Sequence, residues 1–489
     1  MGASARMTSL DAAFYTLERT GQLLHVGGVY TVEGALDFDT LVADIGARMH
    51  LIPRYTQRAI PVPFSLAHPT WEPDPRFDVR GHLFHHVLRP PGDDGQLVAL
   101  ASRLFAQPLD RHRPLWELHQ IDGYHGTRSA LFAKVHHCMI DGVSGVQLLG
   151  VMFDPSPHPA PPPPPVEVVA APRLPSPAAQ VLRAVREGAV GTLARARALV
   201  ELVRDPRRAL AELRQLGEVM AELTRILLAG KPVTFFNGHV STLRRVVWTT
   251  FSLNEVKAIK NRLGGTVNDV VLATITAALR GYLEGHGVTP DRLELQAALP
   301  VNVRAAHEHL ALGNRVSALM APLPIGIFDP LERLRQVRSA TAQLKRRGQS
   351  SIIGRALDLL DLVPPALQTP LGWLQLVGGM PVNTICTNVP GPPVSLYVQG
   401  KRLETLVPIV PLAHGVGLAF AILSYADTLT IGVTADPALV PDGEHLCELL
   451  QGGLDELRVL AGVERAVPRV AVVRPERQRR RMAPPSRVA

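Results

Sequence analysis

The residues best equipped for chemistry stand together in His136-His137-Cys138-Met139-Ile140-Asp141-Gly142. A neutral imidazole is well suited to take a proton from an alcohol near neutral pH, provided a second group fixes its tautomer. The preceding residues, 131–137 (LFAKVHH), alternate as a half-buried strand does. Neighbouring strand side chains face opposite ways, so only one of the two histidines can enter a given cleft. Asp141 is a candidate to support that geometry, and Gly142 leaves room for backbone or substrate to come close. Cys138 adjoins His137, but the same divergence argues against a Cys-His nucleophilic dyad. A second histidine run, Gly81-His82-Leu83-Phe84-His85-His86, has no matching cluster of carboxylates or thiolates. Its histidines are expected at the surface, and no metal is expected.

These residues sit in a chain of 489 residues, long enough for two or more domains. Apolar residues make up 46% and charged residues 19%, which excludes disorder throughout. Three cysteines far apart exclude a disulfide framework and a four-thiolate zinc site and fit a reduced, cytoplasmic setting. Asp11 and Glu18 interrupt the opening stretch where a secretory signal would be apolar. The net charge of +8 lies mostly in the tail, where seven arginines from Arg469 onward face Glu476, so a nucleic-acid partner is not expected.

The first half, residues 1–154, mixes strands with helices such as 97–105, an α+β pattern. Residues 155–242 begin as a linker, with eleven prolines among the 23 residues of 155–177, and continue as amphipathic helices divided at Pro206. Residues 243–465 form a second mixed unit, with a strand at 246–252, helices capped by Asn254 and Asn268, and a hairpin over 418–434. Residues 466–489 form a basic tail expected to be disordered. Asn268 is read first as a helix cap, and Asn388, ahead of Pro390-Gly391-Pro392, as a turn former or a donor to substrate.

The HHCMIDG run resembles the HHxxxDG signature of the CoA-dependent acyltransferase superfamily. Pro114-Leu115-Trp116 resembles the PLW motif of bacterial wax ester synthase/diacylglycerol acyltransferases, Asn268-Asp269 their ND motif, and Thr387-Asn388-Val389-Pro390-Gly391-Pro392 their NVPGP segment. Leu10-Asp11-Ala-Ala-Phe14 and Glu18 are also similar to the family opening. The matches run in family order over nearly the whole chain. The resemblance implies an α+β fold of two chloramphenicol-acetyltransferase-like halves with a tunnel between them. It implies His137 as general base, His136 as its structural neighbour, and Asp141 as a loop-holding residue paired with an arginine, for which Arg54, Arg58 and Arg304 are candidates. Acyl-CoA is then a co-substrate, no cofactor is needed, and the acceptor is diacylglycerol or a fatty alcohol.

Such substrates reside in lipid, so the inner face of the membrane or a lipid-droplet surface is an expected partner. Prolines break the longest uncharged stretch, 362–400, too often for a spanning helix, so peripheral association is expected. The basic stretch 178–210, with seven arginines against three acids, and residues 362–380, with Trp373, are candidate contacts. Three alternatives stand beside this one: a condensation-type acyltransferase using carrier-bound chains, a lipid-binding protein without activity, and a metal-dependent hydrolase.

Overall fold

The computed structural model describes residues 5–18, 22–140, 142–160, 162–163, 174–229, 233–302, 316–346, 365–366, 368 and 381–465. In the first half, β1 (Ala5–Arg6) leads to α1 (Ser9–Leu17), capped by the Thr8 side chain, which accepts from the Asp11 N–H. There follow β2 (His25–Val32), α2 (Phe38–Arg48), β3 (Gln57–Ile60), β4 (Thr70–Pro73) and β5 (Leu83–Val87). Then come α3 (Asp94–Phe105), β6 (Trp116–Tyr124), β7 (Arg128–His136) and α4 (Gly142–Met152). Two long helices, α5 (Pro177–Arg204) and α6 (Pro206–Ala229), meet at Pro206 as expected, because proline suits a first helical turn and not an interior.

The second half runs through β8 (Arg245–Ser252), α7 (Leu253–Leu263), α8 (Val267–Gly285), β9 (Leu295–Asn302), β10 (Val316–Leu323) and α9 (Pro330–Arg346). It closes with β11 (Thr384–Pro390), β12 (Tyr397–Val398), β13 (Lys401–Ile409), the hairpin β14 (Leu418–Tyr425) and β15 (Thr428–Ala435), and α10 (Gly443–Leu460). Two helix starts differ from the sequence expectation. Ser252 caps α7 in place of Asn254, and Thr266 caps α8 in place of Asn268. In α8 the Asp269 carboxylate returns to the Thr266 N–H, completing a capping box that outcompetes a lone asparagine.

Among the described residues the strands form two mixed six-stranded sheets, ordered β12-β13-β2-β7-β6-β5 and β10-β9-β11-β14-β15-β8, and a small sheet β1-β4-β3. The first sheet is thus completed by strands from the second half of the chain. β13 lies antiparallel to β2, with Val407 opposite Val29, and covers what would otherwise be an open edge. The halves also meet through α3, where Ser102 Oγ accepts the Val246 N–H of β8 at 2.9 Å. Where β13 passes over β15, a Cβ on Gly432 would lie 2.0 Å from the Pro408 oxygen, so only glycine fits.

One core gathers Leu41, Ile45, Trp71, Trp116, Leu131 and Leu406. The other gathers α3 with Val270, Ile275, Tyr282, Phe420, Ile431 and Leu450. Each such side chain contributes about 1.5–3 kcal/mol on burial. The C-terminus of α3 ends inside the protein, and its carbonyls are satisfied there. Lys134 Nζ donates to the oxygens of Leu104 and Gln107, both at 3.1 Å, and His25 Nε2 donates to that of Phe105 at 2.6 Å. His82 corrects another expectation: it is buried, not superficial, stacked on Trp116 with ring centroids 4.5 Å apart. Among the described residues no group of His, Cys, Asp and Glu could hold a metal ion.

Candidate active site

His136 closes β7 and His137 takes the first corner of a turn in which the Met139 N–H returns to the His136 oxygen at 2.9 Å. Leaving the strand at this point, rather than continuing it, is what separates the two rings. His136 is buried and His137 half-buried. The His136 N–H donates to the Leu115 oxygen and the His137 N–H to the Leu24 oxygen, each at 2.9 Å. Pro114-Leu115-Trp116 therefore acts through backbone and packing. Trp116 is buried, and its Nε1–H donates to the Tyr55 oxygen at 2.8 Å.

Helix α1 lies against this turn. Its Phe14 ring stacks on the His137 imidazole, with centroids 4.3 Å apart and planes 27° apart. One turn further, Glu18 caps the helix and reaches inward with a carboxylate whose side chain is 5% exposed. Arg111 Nη2 donates to Glu18 Oε2 at 3.0 Å and the Leu24 N–H to Oε1 at 3.3 Å. His136 Nε2 is 3.2 Å from Oε2, with its N–H turned off the direct line. His136 Nδ1 accepts the Cys138 N–H at 3.1 Å, which puts the proton of a neutral ring on Nε2, the side of the carboxylate. Burial alone would raise the Glu18 carboxyl, but the facing His136 and His25 rings and the Arg111 guanidinium outweigh it and hold it well below the usual carboxylate range. Burial pushes His25 down and the Cys138 thiol well up, so Cys138 is a poor nucleophile.

Of the arginine candidates, Arg54 lies over the Trp71 ring at 4.3 Å, and burial lowers it to about 10 against the pull of Asp11. Arg58 sits on β3 opposite Glu72. Arg304 and Asp141 lie outside the described residues, and so does their pairing. Gly142 opens α4, which packs beside β11. β11 carries Asn388, whose Nδ2 donates to Asn268 Oδ1 at 2.9 Å. The two asparagines, 120 residues apart, thus form one unit. Asp269 is buried and engaged by Thr266 and by Thr341 Oγ1 at 2.8 Å, a structural role. Gly391 of the same segment could not be larger, since a Cβ there would lie 2.1 Å from the Ser424 oxygen. The sequence alone assigns no role to Glu18 and does not single out Arg111. The helical spacing of Asp11, Phe14 and Glu18 is the signal that one face of α1 serves the turn.

The His136-His137 turn thus closes a strand in one of two mixed six-stranded sheets. Residues 7–271 match the wax ester synthase/diacylglycerol acyltransferase catalytic domain, and residues 312–458 the C-terminal domain of the same proteins. The chain belongs to the wax ester synthase/diacylglycerol acyltransferase family. A probable diacylglycerol O-acyltransferase of Mycobacterium tuberculosis is 30% identical over 485 residues, covering 96% of this chain and 97% of the relative. A putative diacylglycerol O-acyltransferase of Mycobacterium bovis is similar to the same extent. The solved wax ester synthase/diacylglycerol acyltransferase of Marinobacter aquaeolei is 26% identical, with a TM-score of 0.64 over 94% of this chain and 100% of that one. The starter condensation domain of rhizomide synthetase, solved with C8-CoA and Leu-SNAC, shares the fold at 13% identity, with a TM-score of 0.59 over 94% of both chains. The expected two-halved α+β architecture holds.

Proposed function

We propose that this acyltransferase moves a long-chain acyl group from acyl-CoA to the free hydroxyl of diacylglycerol, forming triacylglycerol, and accepts long-chain fatty alcohols as a second acceptor class, forming wax esters. His137 takes the hydroxyl proton as the oxygen attacks the thioester carbonyl carbon. Collapse of the tetrahedral intermediate breaks the C–S bond, and the proton held by His137 passes to the CoA sulfur. The acyl group goes directly to the acceptor, without an acyl-enzyme and without a cofactor. Asp141 and Gly142 keep the loop in shape, and the Asn268–Asn388 pair supports the facing side. The observation that carries this reading is the position of His137, half-buried at a turn corner with Phe14 against its ring. Relatives at 30% identity that bear the diacylglycerol O-acyltransferase name support the acceptor.

The reading includes lipid contact from outside the bilayer. Among the described residues no helix is long and apolar enough to cross a membrane. α5 instead exposes Leu182 and Val185, and α6 exposes Leu210, Leu213 and Met220, on helices that also carry arginines. Most of the other candidate, 362–380, and all of the basic tail lie outside the described residues.

The test offers purified protein labelled palmitoyl-CoA with diolein, monoolein or hexadecanol in turn. Triacylglycerol is expected as the leading product, and His137→Ala is expected to lose about 10²–10⁴-fold in turnover with unchanged melting. An active His137→Ala protein would falsify the base assignment. Turnover only with carrier-bound chains would favour the condensation-type alternative.

A further inference from the structure

The Glu18 carboxylate touches three elements that meet at the histidine turn: the Leu24 N–H ahead of β2, His136 at the end of β7, and Arg111 ahead of β6. Leu24 is the link. Its N–H goes to Glu18 and its carbonyl takes the N–H of His137, so one residue separates the carboxylate from the backbone anchor of the base. Phe14, one helical turn back on α1, bears on the His137 ring itself. We infer that Glu18 is a positioning residue for the reaction, fixing the His136 tautomer and the Leu24 anchor so that the turn presents the His137 ring to the acceptor hydroxyl. This rests on His137 being the base.

The tautomer makes the inference specific. With a carboxylate at position 18, His136 keeps its proton on Nε2 and leaves Nδ1 to accept the Cys138 N–H. In Glu18→Gln the single amide oxygen can stand on the Leu24 side or on the side shared by Arg111 and His136, not both, so the NH2 group faces either the Leu24 N–H or the Arg111 guanidinium together with the His136 Nε2 proton. The first orientation breaks the Leu24 anchor of the His137 N–H; the second opposes Arg111 and drives the His136 proton to Nδ1, where it opposes the Cys138 N–H, so either one disturbs the turn that carries His137. A buried carboxylate also favours the protonated form of a nearby imidazole. The charged groups packed around the turn are Glu18 and Asp11 from α1, Arg54, Arg111, and Lys134 of β7, with His25 on β2. Glu18→Gln removes a negative charge from this set and leaves Arg111 in place.

Turnover and kcat/KM are measured against pH for Glu18→Gln and Glu18→Asp, with thermal melting of each. For Glu18→Gln, kcat is expected to fall about 10²-fold per folded molecule, the scale of a displacement near 1 Å, while KM for acyl-CoA changes little. The acid limb of kcat/KM is expected to move to lower pH, because the base loses the carboxylate that favours its protonated form. Glu18→Asp keeps the charge but is too short to hold Leu24 and His136 together, so kcat falls about tenfold with the limb unmoved. A Glu18→Gln protein with wild-type kcat and limb, or one that loses only stability, overturns the inference. If that variant does not fold, Glu18→Asp carries the test, and an unchanged kcat per folded molecule overturns it. An active His137→Ala enzyme defeats the base assignment, whereas an inactive one beside an unaffected Glu18→Gln defeats the positioning role alone.

Discussion

The end of β7 in the first half and the end of β11 in the second belong to sheets of the same size, yet they carry different polar chemistry. At β7 a carboxylate, a guanidinium and an imidazole are gathered away from bulk water, with the Glu18 side chain 5% exposed and that of Arg111 24%. At β11 two neutral amides meet, Asn388 and Asn268, and the nearby Asp269 is spent on capping α8. Gathering charge in the interior costs several kcal/mol per ion before partners offset it, whereas an amide pair contributes about 1 kcal/mol net and costs little to place. The expensive arrangement stands beside the residue proposed to handle a proton, and the cheap one joins β11 to the start of α8. Charge is buried here where it can set a tautomer, and avoided where shape is enough.

Breaking the charged side should have the largest effect. Arg111→Met strands the Glu18 carboxylate and is expected to destabilise the protein by about 3 kcal/mol, the low end for a broken buried pair, because Arg111 is 24% exposed. Chemical denaturation at pH 7 measures it, and a loss below about 1 kcal/mol would put this pair with ordinary surface pairs. Acid should remove the same contribution by another route. The folded-state Glu18 carboxyl lies below its ordinary value of 4.5, so its stabilisation is fully present above about pH 4.5 and fades as pH falls further. Glu18→Gln should therefore approach wild type in stability below that pH, and parallel curves down to pH 3 would contradict the assignment.

On the neutral side, Asn388→Ala is expected to cost about 1 kcal/mol and to leave the acid limb of kcat/KM where it was. A shifted limb would mean that the amide pair touches the base. The smallest effect on folding is expected on α5. Leu182→Ser with Val185→Ser should change stability by less than about 0.5 kcal/mol and still weaken flotation with anionic liposomes. Undiminished flotation would move the lipid contact elsewhere on the chain.

The contrast also separates what the sequence makes legible from what it does not. His136 and His137 are legible as a local run at a strand end, where alternation fixes which way side chains face, whereas Pro114-Leu115-Trp116 is legible only through the family resemblance. Strand and helix positions such as β8, α3 and the β14–β15 hairpin follow from the same periodicities. The caps at Asn254 and Asn268 mislead because a lone asparagine is weaker evidence than Ser252 or Thr266 with an acid three residues on. His82 misleads because histidine is intermediate in burial preference, and only the tertiary fold brings Trp116 over it. Glu18 meets Arg111 across 93 residues, and no local pattern records such a meeting. The addition of β13 to the first sheet is hidden for the same reason: alternation describes a strand and not its neighbour.

That added strand has a consequence in time. β2 leaves the ribosome early, but its partner β13 follows only after about 370 further residues, which at common synthesis rates is roughly 20–70 s. For that interval the growing chain carries an unsealed edge at Val29 and Thr31, open to pairing with another nascent copy. A gene cut between the halves would make the exposure permanent, so yield in a host should depend more on chaperone supply and translation pace than on the stability of the finished enzyme.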